Sequence, residues 1–403
     1  MMWEKTTIGK HCTVTSSKRF HLPDRSDSGI PFYCSKEIIQ KVNGQEITDC
    51  DYIKVEAYEE VKKKFGVPEC GDLLITTRGT YGIPYLYNAE DKFYFADGNL
   101  TWLKEFDDQL NAEFLYYWIL SYEGQKKIDA IAKGTAQKAV PIALIKDIEL
   151  SIPDVETQKK ITNILKSYDD LIANNQKQIK LLEEVAQRLY KEWFVDLRFP
   201  GHEDVNIVDG VPEGWIEDTI DSKIDLLSGY AFKSAAFNDE GTYKIVTIKN
   251  VKDGQFDGDN VSRMVDIPPK MPEHCKLSDG DILLSLTGNV GRVCIVYGDN
   301  YLLNQRVAKI KSDNPTYAYC LFRSKDMFDE MNNLANGAAQ QNLSPIRTGK
   351  IKVVFPTDNL IGDFEKVVSP MIEKITMLNK TMLLLTQARD RLLPKLMSEE
   401  IEV

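Results

Sequence analysis

TQKKITNILKSYDDLIANNQKQIKLLEEVAQRLYKEWF, residues 157–194, reads as one unbroken helix. Along one face it carries Ile161, Leu165, Tyr168, Ile172, Asn175, Ile179, Leu182, Ala186, Leu189 and Trp193. The steps alternate between four and three residues, which is the spacing of a heptad seam, and only Asn175 interrupts its apolar character. No Gly or Pro falls inside, and Glu, Gln, Lys and Leu favour the helix. At about 1.5 Å per residue it forms a rod of roughly 57 Å. Such a helix cannot bury its seam alone and predicts a partner.

The partner lies in the same chain, 203 residues on. There the seam positions become Phe364, Val368, Met371, Ile375, Leu378, Met382, Leu385, Arg389, Leu392 and Leu396, with Arg389 the one charged exception. Pro370 falls inside this second helix and predicts a kink or a restart, with Ser369 as N-cap. The first helix leads away from residues 1–155 and the second leads back from 200–359, so connectivity makes the pair antiparallel.

The duplication extends beyond the helices. Gly71-Asp72-Leu73-Leu74 with Gly79 and Gly82 recurs as Gly280-Asp281-Ile282-Leu283 with Gly288 and Gly291. Gly134-Thr135-Ala136-Gln137 recurs as Gly337-Ala338-Ala339-Gln340, and Trp3, Ile8 and Gly29 match Trp215, Ile220 and Gly241. The order is therefore domain (1–155), helix (156–199), domain (200–359), helix (360–403). Each domain mixes α and β. Strands are expected at Leu73–Thr77, Phe93–Ala96, Ile148–Ile152, Tyr243–Ile248, Ile282–Leu286, Arg292–Tyr297 and Ile351–Phe355. Helices are expected at Ala112–Ser121 and Thr316–Met331, with linkers at Pro200–Trp215 and Pro356–Asn359.

Composition bounds the function. The 403 residues are 43% hydrophobic and 28% charged, as in ordinary globular proteins with room for two or three domains. The absence of a long apolar run and of a signal-like N-terminus predicts a cytoplasmic chain. Seven cysteines without a CxxC pair suit reduced thiols, not zinc. A net charge of −11, with neither domain basic overall, means that any DNA contact rests on local clusters. Four scattered histidines (His11, His21, His202, His274), no HExxH and no amino-methyltransferase loop argue against catalysis, and no metal site is expected.

The Gly-Asp runs lack the GK[ST] of a phosphate-binding loop and read as β-hairpins. Their tips hold Arg78, Thr80 and Tyr81 in the first copy and Thr287, Asn289 and Arg292 in the second. The second recurring loop offers Lys133, Thr135, Gln137 and Lys138 against Gln340, Gln341 and Asn342, and Lys249, Asn250, Asn304, Gln305 and Arg306 form further polar clusters. Arg and Lys suit phosphate or guanine, and the amides suit adenine edges, so these residues are the candidate DNA-binding set. Solvated hairpins and loops are the bland alternative. The residues facing Asn304-Gln305-Arg306 in the first copy are Asp97-Gly98-Asn99, so equivalent loops need not make equivalent contacts.

The two-copy plan, the Gly-Asp-Leu/Ile-Leu strand, the Gly-x-x-Gln loop, Ile-Pro-x-x-x-x-Gln-Lys-x-Ile from Ile152 to Ile161, and Arg-Leu-Leu-Pro-Lys-Leu near the end are similar, as an ordered set, to the specificity subunit of Type I restriction–modification systems. The resemblance spans nearly the whole chain. It implies an α+β fold of two mixed target-recognition domains separated by two long antiparallel coiled-coil helices, with a pseudo-two-fold repeat. It further implies a non-catalytic subunit that reads a bipartite double-stranded DNA target, one domain per half-site. The helices would dock methyltransferase subunits, two of them, with nuclease/translocase subunits as further candidate partners. S-adenosylmethionine and ATP would be bound by those partners and not by this chain. A coiled-coil scaffold whose globular ends bind other proteins is the alternative.

Overall fold

A computed structural model describes residues 3–20, 24–134, 138–259, 261–335, 341–398 and 400–401. It divides into two compact units, Met1–Ala173 with Leu385–Val403, and Asn174–Leu384. The first long helix runs Val155–Tyr190 and continues as a π-helical turn, Lys191–Val195. Its N-terminus is capped by Asp154, which accepts from Thr157 N–H at 3.0 Å and from Thr157 Oγ1 at 2.9 Å.

Within each unit the two long helices share one core with the domain. In the first unit, Ile161 and Leu165 join Leu393, Leu396 and Met397, together with Phe114, Leu115 and Trp118 of the domain. In the second, Ala186, Tyr190 and Trp193 join Phe364 and Val368, together with Ile282, Leu284 and Tyr319. The early part of the first helix thus meets the late part of the second, and the late part meets the early part, as an antiparallel pair requires. None of the twenty seam positions is exposed. Arg389 is no defect in the seam: its Nη1 donates to Asp169 Oδ1 at 2.6 Å.

The second long helix corrects the expectation for Pro370. It is continuous from Asp358 to Leu396, and Ser369 Oγ donates to Glu373 instead of capping a new start. An interior proline costs about 3 kcal/mol. Burial of Val368, Ile375 and Leu378, each worth about 1.5–3 kcal/mol, exceeds that cost and holds the helix through the missing bond.

Each domain repeats the same scaffold. Glu4–Thr7 pairs antiparallel with Glu149–Ile152, as Ile216–Thr219 pairs with Lys352–Phe355, so each domain is closed by strands from its two ends. One four-stranded sheet follows the order Thr13–Thr15, Leu100–Lys104, Leu73–Thr76, Pro84–Leu86. Its counterpart follows Ile224–Ser228, Val307–Ser312, Ile282–Ser285, Val293–Ile295. A second sheet in each domain contains one parallel pair, Ile30–Tyr33 with Tyr94–Phe95 and Tyr243–Val246 with Tyr301–Leu303.

Gly29 and Gly241 recur because a neighbouring strand lies against them. A Cβ would come within 2.4 Å of Ile53 O or 2.3 Å of the Met264 backbone, so only glycine fits. The helix expected at Thr316–Met331 is two helices, Pro315–Arg323 and Lys325–Ala335, broken at the extended residue Ser324. Ser121 breaks Ala112–Leu120 from Tyr122–Ile131 in the same way, and each serine Oγ accepts an N–H of the helix that follows. The linker Pro200–Trp215 also holds structure, a short hairpin of Ile207–Val208 with Val211–Pro212. The helices Ser35–Val42 and Val55–Phe65, without a heptad or repeat signal, occur in the first domain.

Asn175 is buried, with 8% of its surface exposed, in an otherwise apolar seam. A buried polar seam residue fixes register at a cost in stability. Asn175→Leu is expected to raise the thermal midpoint by about 2–4 °C while loosening register. Thermal melts and cysteine cross-linking along the helices check this; a lower midpoint with unchanged register would show that Asn175 is stabilising.

Candidate nucleic-acid interface

The Gly-Asp runs form the expected hairpins. Gly71 and Gly280 take φ of +94° and +88°, and the carboxylates of Asp72 and Asp281 accept the N–H of Glu69 and Ser278, each at 2.9 Å. The strands that follow, Leu73–Thr76 and Ile282–Ser285, pair with their return strands and carry the two glycine-rich tips.

Each tip is joined by two other loops through the backbone. In the first domain, Val140 N–H donates to Thr77 O at 2.9 Å and Arg78 bridges Ala139, which ties in the residues behind the Gly-x-x-Gln loop. Thr77 N–H donates to Asn99 O at 2.8 Å, which ties in the third loop. In the second, Leu343 N–H donates to Leu286 O at 2.7 Å, Thr287 bridges Asn342, and Leu286 N–H donates to Arg306 O at 3.0 Å. Loops scattered along the sequence are thus gathered at one place in each copy, by equivalent bonds.

The side chains there differ. Arg78 is exposed and lies over Gly98, where an added Cβ would stand 3.6 Å from its Nη2. Thr80, Lys133 and Lys138 are exposed beside it. In the second copy Asn289, Gln305, Arg306, Gln341 and Asn342 are exposed, and Thr287, Arg292 and Asn304 are half-buried. Lys249 is exposed. Thr135, Gln137 and Gln340 lie outside the described residues.

One candidate is corrected. Asn250 is fully buried; its Oδ1 accepts from Thr247 N–H at 2.8 Å and its Nδ2 donates to Asp257 O at 2.8 Å. It holds the turn of its own loop and is not available to a ligand. Tyr81 is half-buried against the domain core, and its hydroxyl is engaged by Asp129, which raises its pKa.

A further segment joins each site and was missed in the sequence. Gly98 N–H donates to Ser16 Oγ at 3.4 Å, and Arg19 Nη2 donates to Asp97 Oδ2 at 3.0 Å. In the second copy Tyr230 bridges Asn304, and a Cβ on Gly229 would stand 2.3 Å from Asn304 O. The signal was present, since Phe20 and Phe232 share the spacing of Trp3 and Trp215, but it rests on a single aromatic pair. Among the described residues, no group of three or more His, Cys, Asp or Glu is placed to hold a metal ion, and no helix is long and apolar enough to cross a membrane. All seven cysteines are unpaired.

Two diverged domains, each presenting polar loops on a shared scaffold and each followed by a long helix, define a duplicated recognition protein. The sequence matches the family described as Type I restriction modification DNA specificity domain over residues 2–184 and again over 212–369, and the chain belongs to that family. Membership makes DNA sequence recognition its business. The Type I restriction enzyme MjaIX specificity subunit of Methanocaldococcus jannaschii is 24% identical over 90% of this chain and 86% of its own. The Type I restriction enzyme HindI specificity subunit of Haemophilus influenzae is 23% identical over 72% of this chain and 77% of its own. The crystal structure of the Type I restriction–modification S subunit from M. genitalium shares the fold, with a TM-score of 0.61 at 19% identity over 98% of this chain and 96% of that one.

Asn250→Ala leaves buried partners unmet and is expected to destabilise the chain by about 1–3 kcal/mol without altering DNA affinity at a temperature where the chain stays folded. Denaturant unfolding and DNA titration separate the two effects; weakened DNA binding in a fully folded variant would return Asn250 to the interface.

Proposed function

We propose that this chain is the DNA-reading subunit of a Type I restriction–modification assembly, non-catalytic itself, in which each domain reads one half of a split sequence. The observation that carries this reading is the equivalent gathering of three loops in both copies, by backbone bonds, while the side chains on them differ. A common backbone with different side chains suits two readers of different sequences. A helix of roughly 57 Å exceeds the 34 Å or so of one DNA turn, which suits a spacer between half-sites.

The same helices would dock methyltransferase subunits. Leu181 and Leu384, equivalent at the 203-residue offset, are 52% and 59% exposed, so the repeat offers two like apolar positions to two copies of a partner. S-adenosylmethionine and ATP would be held by methyltransferase and nuclease/translocase subunits. The domains proposed as readers are 1–155 and 200–359, with helical segments 156–199 and 360–403.

We assign Arg292 to phosphate. Arg292→Ala is then expected to weaken binding on all sequences and to reduce the salt slope by about one. Arg78→Ala should do the same if it grips phosphate, or cost about 1–3 kcal/mol and relax one base position if it pairs with guanine. Gln137→Ala and Gln340→Ala should relax base preference. Gel shifts of the assembled complex against target and random DNA, titrated with salt, check these outcomes. Parent-like binding by all four would remove the loops from the interface. An assembly that binds no DNA would favour a protein scaffold.

Exchange of residues 1–150 for another subunit's first domain is expected to change one half of the recognised sequence only. Sequencing of methylated sites reads this out, and a change in both halves would mean that the domains do not read separately.

A further inference from the structure

Each domain is held to the long helices by a part-buried polar group that the seam does not predict. In the first unit, Tyr117 OH donates to Asp169 Oδ2 at 2.6 Å, and Arg389 Nη1 donates to Asp169 Oδ1 at 2.6 Å. In the second, Tyr319 OH donates to Glu183 Oε1 at 2.6 Å, Arg323 Nη1 donates to Tyr319 OH at 2.8 Å, and Arg323 also pairs with Glu183. Both tyrosines are buried, but they are not equivalent: at the 203-residue offset that relates Ser121 to Ser324, Tyr319 answers to Tyr116 and Tyr117 to Cys320. Neither are the other members. Asp169 and Glu183 lie on the same helix, the first, while the arginine comes from the second helix in one case and from the domain in the other. The same tyrosine–carboxylate–arginine grouping is thus built twice from different positions.

Burial makes these groups costly. The Glu183 carboxyl is pushed upward by desolvation, against the pull of Arg323. Apolar burial alone would hold the helices against the domains, as it does elsewhere in both cores, but it is non-directional and tolerates sliding. A hydroxyl and a guanidinium on one carboxylate fix distance and angle together. In the second unit the fix extends further: Arg323 Nε lies 3.5 Å from Asp253 Oδ1, and Gly254 leaves room for its guanidinium, since a Cβ there would come within 2.7 Å of it.

The tyrosines also stand close to the readers. Tyr117 belongs to Ala112–Leu120, which packs on Pro84–Leu86, the return strand of the first hairpin. Tyr319 belongs to Pro315–Arg323, which packs on Val293–Ile295, the return strand of the second. From helix to hairpin tip the path is one packed helix and one strand in both copies.

We infer that Tyr117 with Asp169 and Arg389, and Tyr319 with Glu183 and Arg323, are positioning groups that set the angle of each reading domain on its helices and thereby the number of unread base pairs tolerated between the half-sites. The inference rests on the split-target reading above and adds a determinant of its geometry. It separates two properties of specificity: the loops choose bases, and the tyrosine groups choose the gap.

The test is sequencing of sites methylated by the complete assembly carrying the parent chain, Y117F, Y319F or both. Each substitution removes one hydroxyl and keeps the ring. With a hydrogen bond to a charged group worth roughly tenfold or more in population, sites with a gap one base pair longer or shorter should rise about tenfold over the parent, with the bases of both halves unchanged. D169E is expected to shift the favoured gap, and D169N, which still accepts from Tyr117, to stay nearest the parent. Should Y319F fail to assemble, Y117F carries the test. Lower thermal stability with parent-like bases and gap would make the groups merely structural and overturn the inference. Altered bases with an unchanged gap would overturn it as well. A parent assembly that methylates no two-part sequence would overturn the split-target reading, and the inference with it.

Discussion

The burial of one helical seam holds this protein together, and it is not buried by the helices alone. Tyr190 and Trp193 meet Phe364 with ring centroids 6.2 and 5.6 Å apart, inside a core that also contains domain residues such as Tyr317 and Phe355. Ile161 and Leu165 share a core with Phe114 and Trp118 in the same way. Each unit therefore has no separable coiled coil. Its helices and its domain complete a common interior, and a change in one is felt by the other.

This arrangement explains why some features were legible in the sequence and others were not. The seam, the duplication and the hairpins rest on local rules: a repeat of four and three, glycines at positive φ, and Asp in a turn. Those rules act within a few residues, so the text of the chain displays them. Gln158, central to the Ile-Pro-x-x-x-x-Gln-Lys-x-Ile signature, shows the limit. Its amide is fully buried and bonds Gln109 O, Pro153 O and Asn111 N–H at 2.8–2.9 Å, joining the helix start to a loop some fifty residues earlier. No pattern near Gln158 indicates those partners. Pro370 shows the opposite case, a strong local signal overruled by tertiary packing on either side of it.

The candidate interface divides along the same line. The recurring loops were visible because glycine and glutamine recur at fixed offsets, and their gathering is a property of the backbone. Which side chains remain available is set by distant neighbours. Asn250 reads as a polar loop residue until Thr247 and Asp257 are seen to occupy its amide. Asp97 reads as an acidic intruder until Arg19, seventy-eight residues away, is found paired with it.

The order in which the interior is completed differs from the order in which the chain is made. The second unit is continuous, Asn174–Leu384, and all its parts exist once residue 384 has left the ribosome. The first unit draws Leu393, Leu396 and Met397 into its core, so the domain synthesised first is finished last. Until then the core that holds Ile161 and Leu165 lacks its last members, and apolar surface is open to solvent or to chaperones through most of translation. Joining residues more than two hundred apart in sequence also delays closure, since distant contacts form slowly. The nascent first domain is consequently the point at which this architecture is most exposed to aggregation.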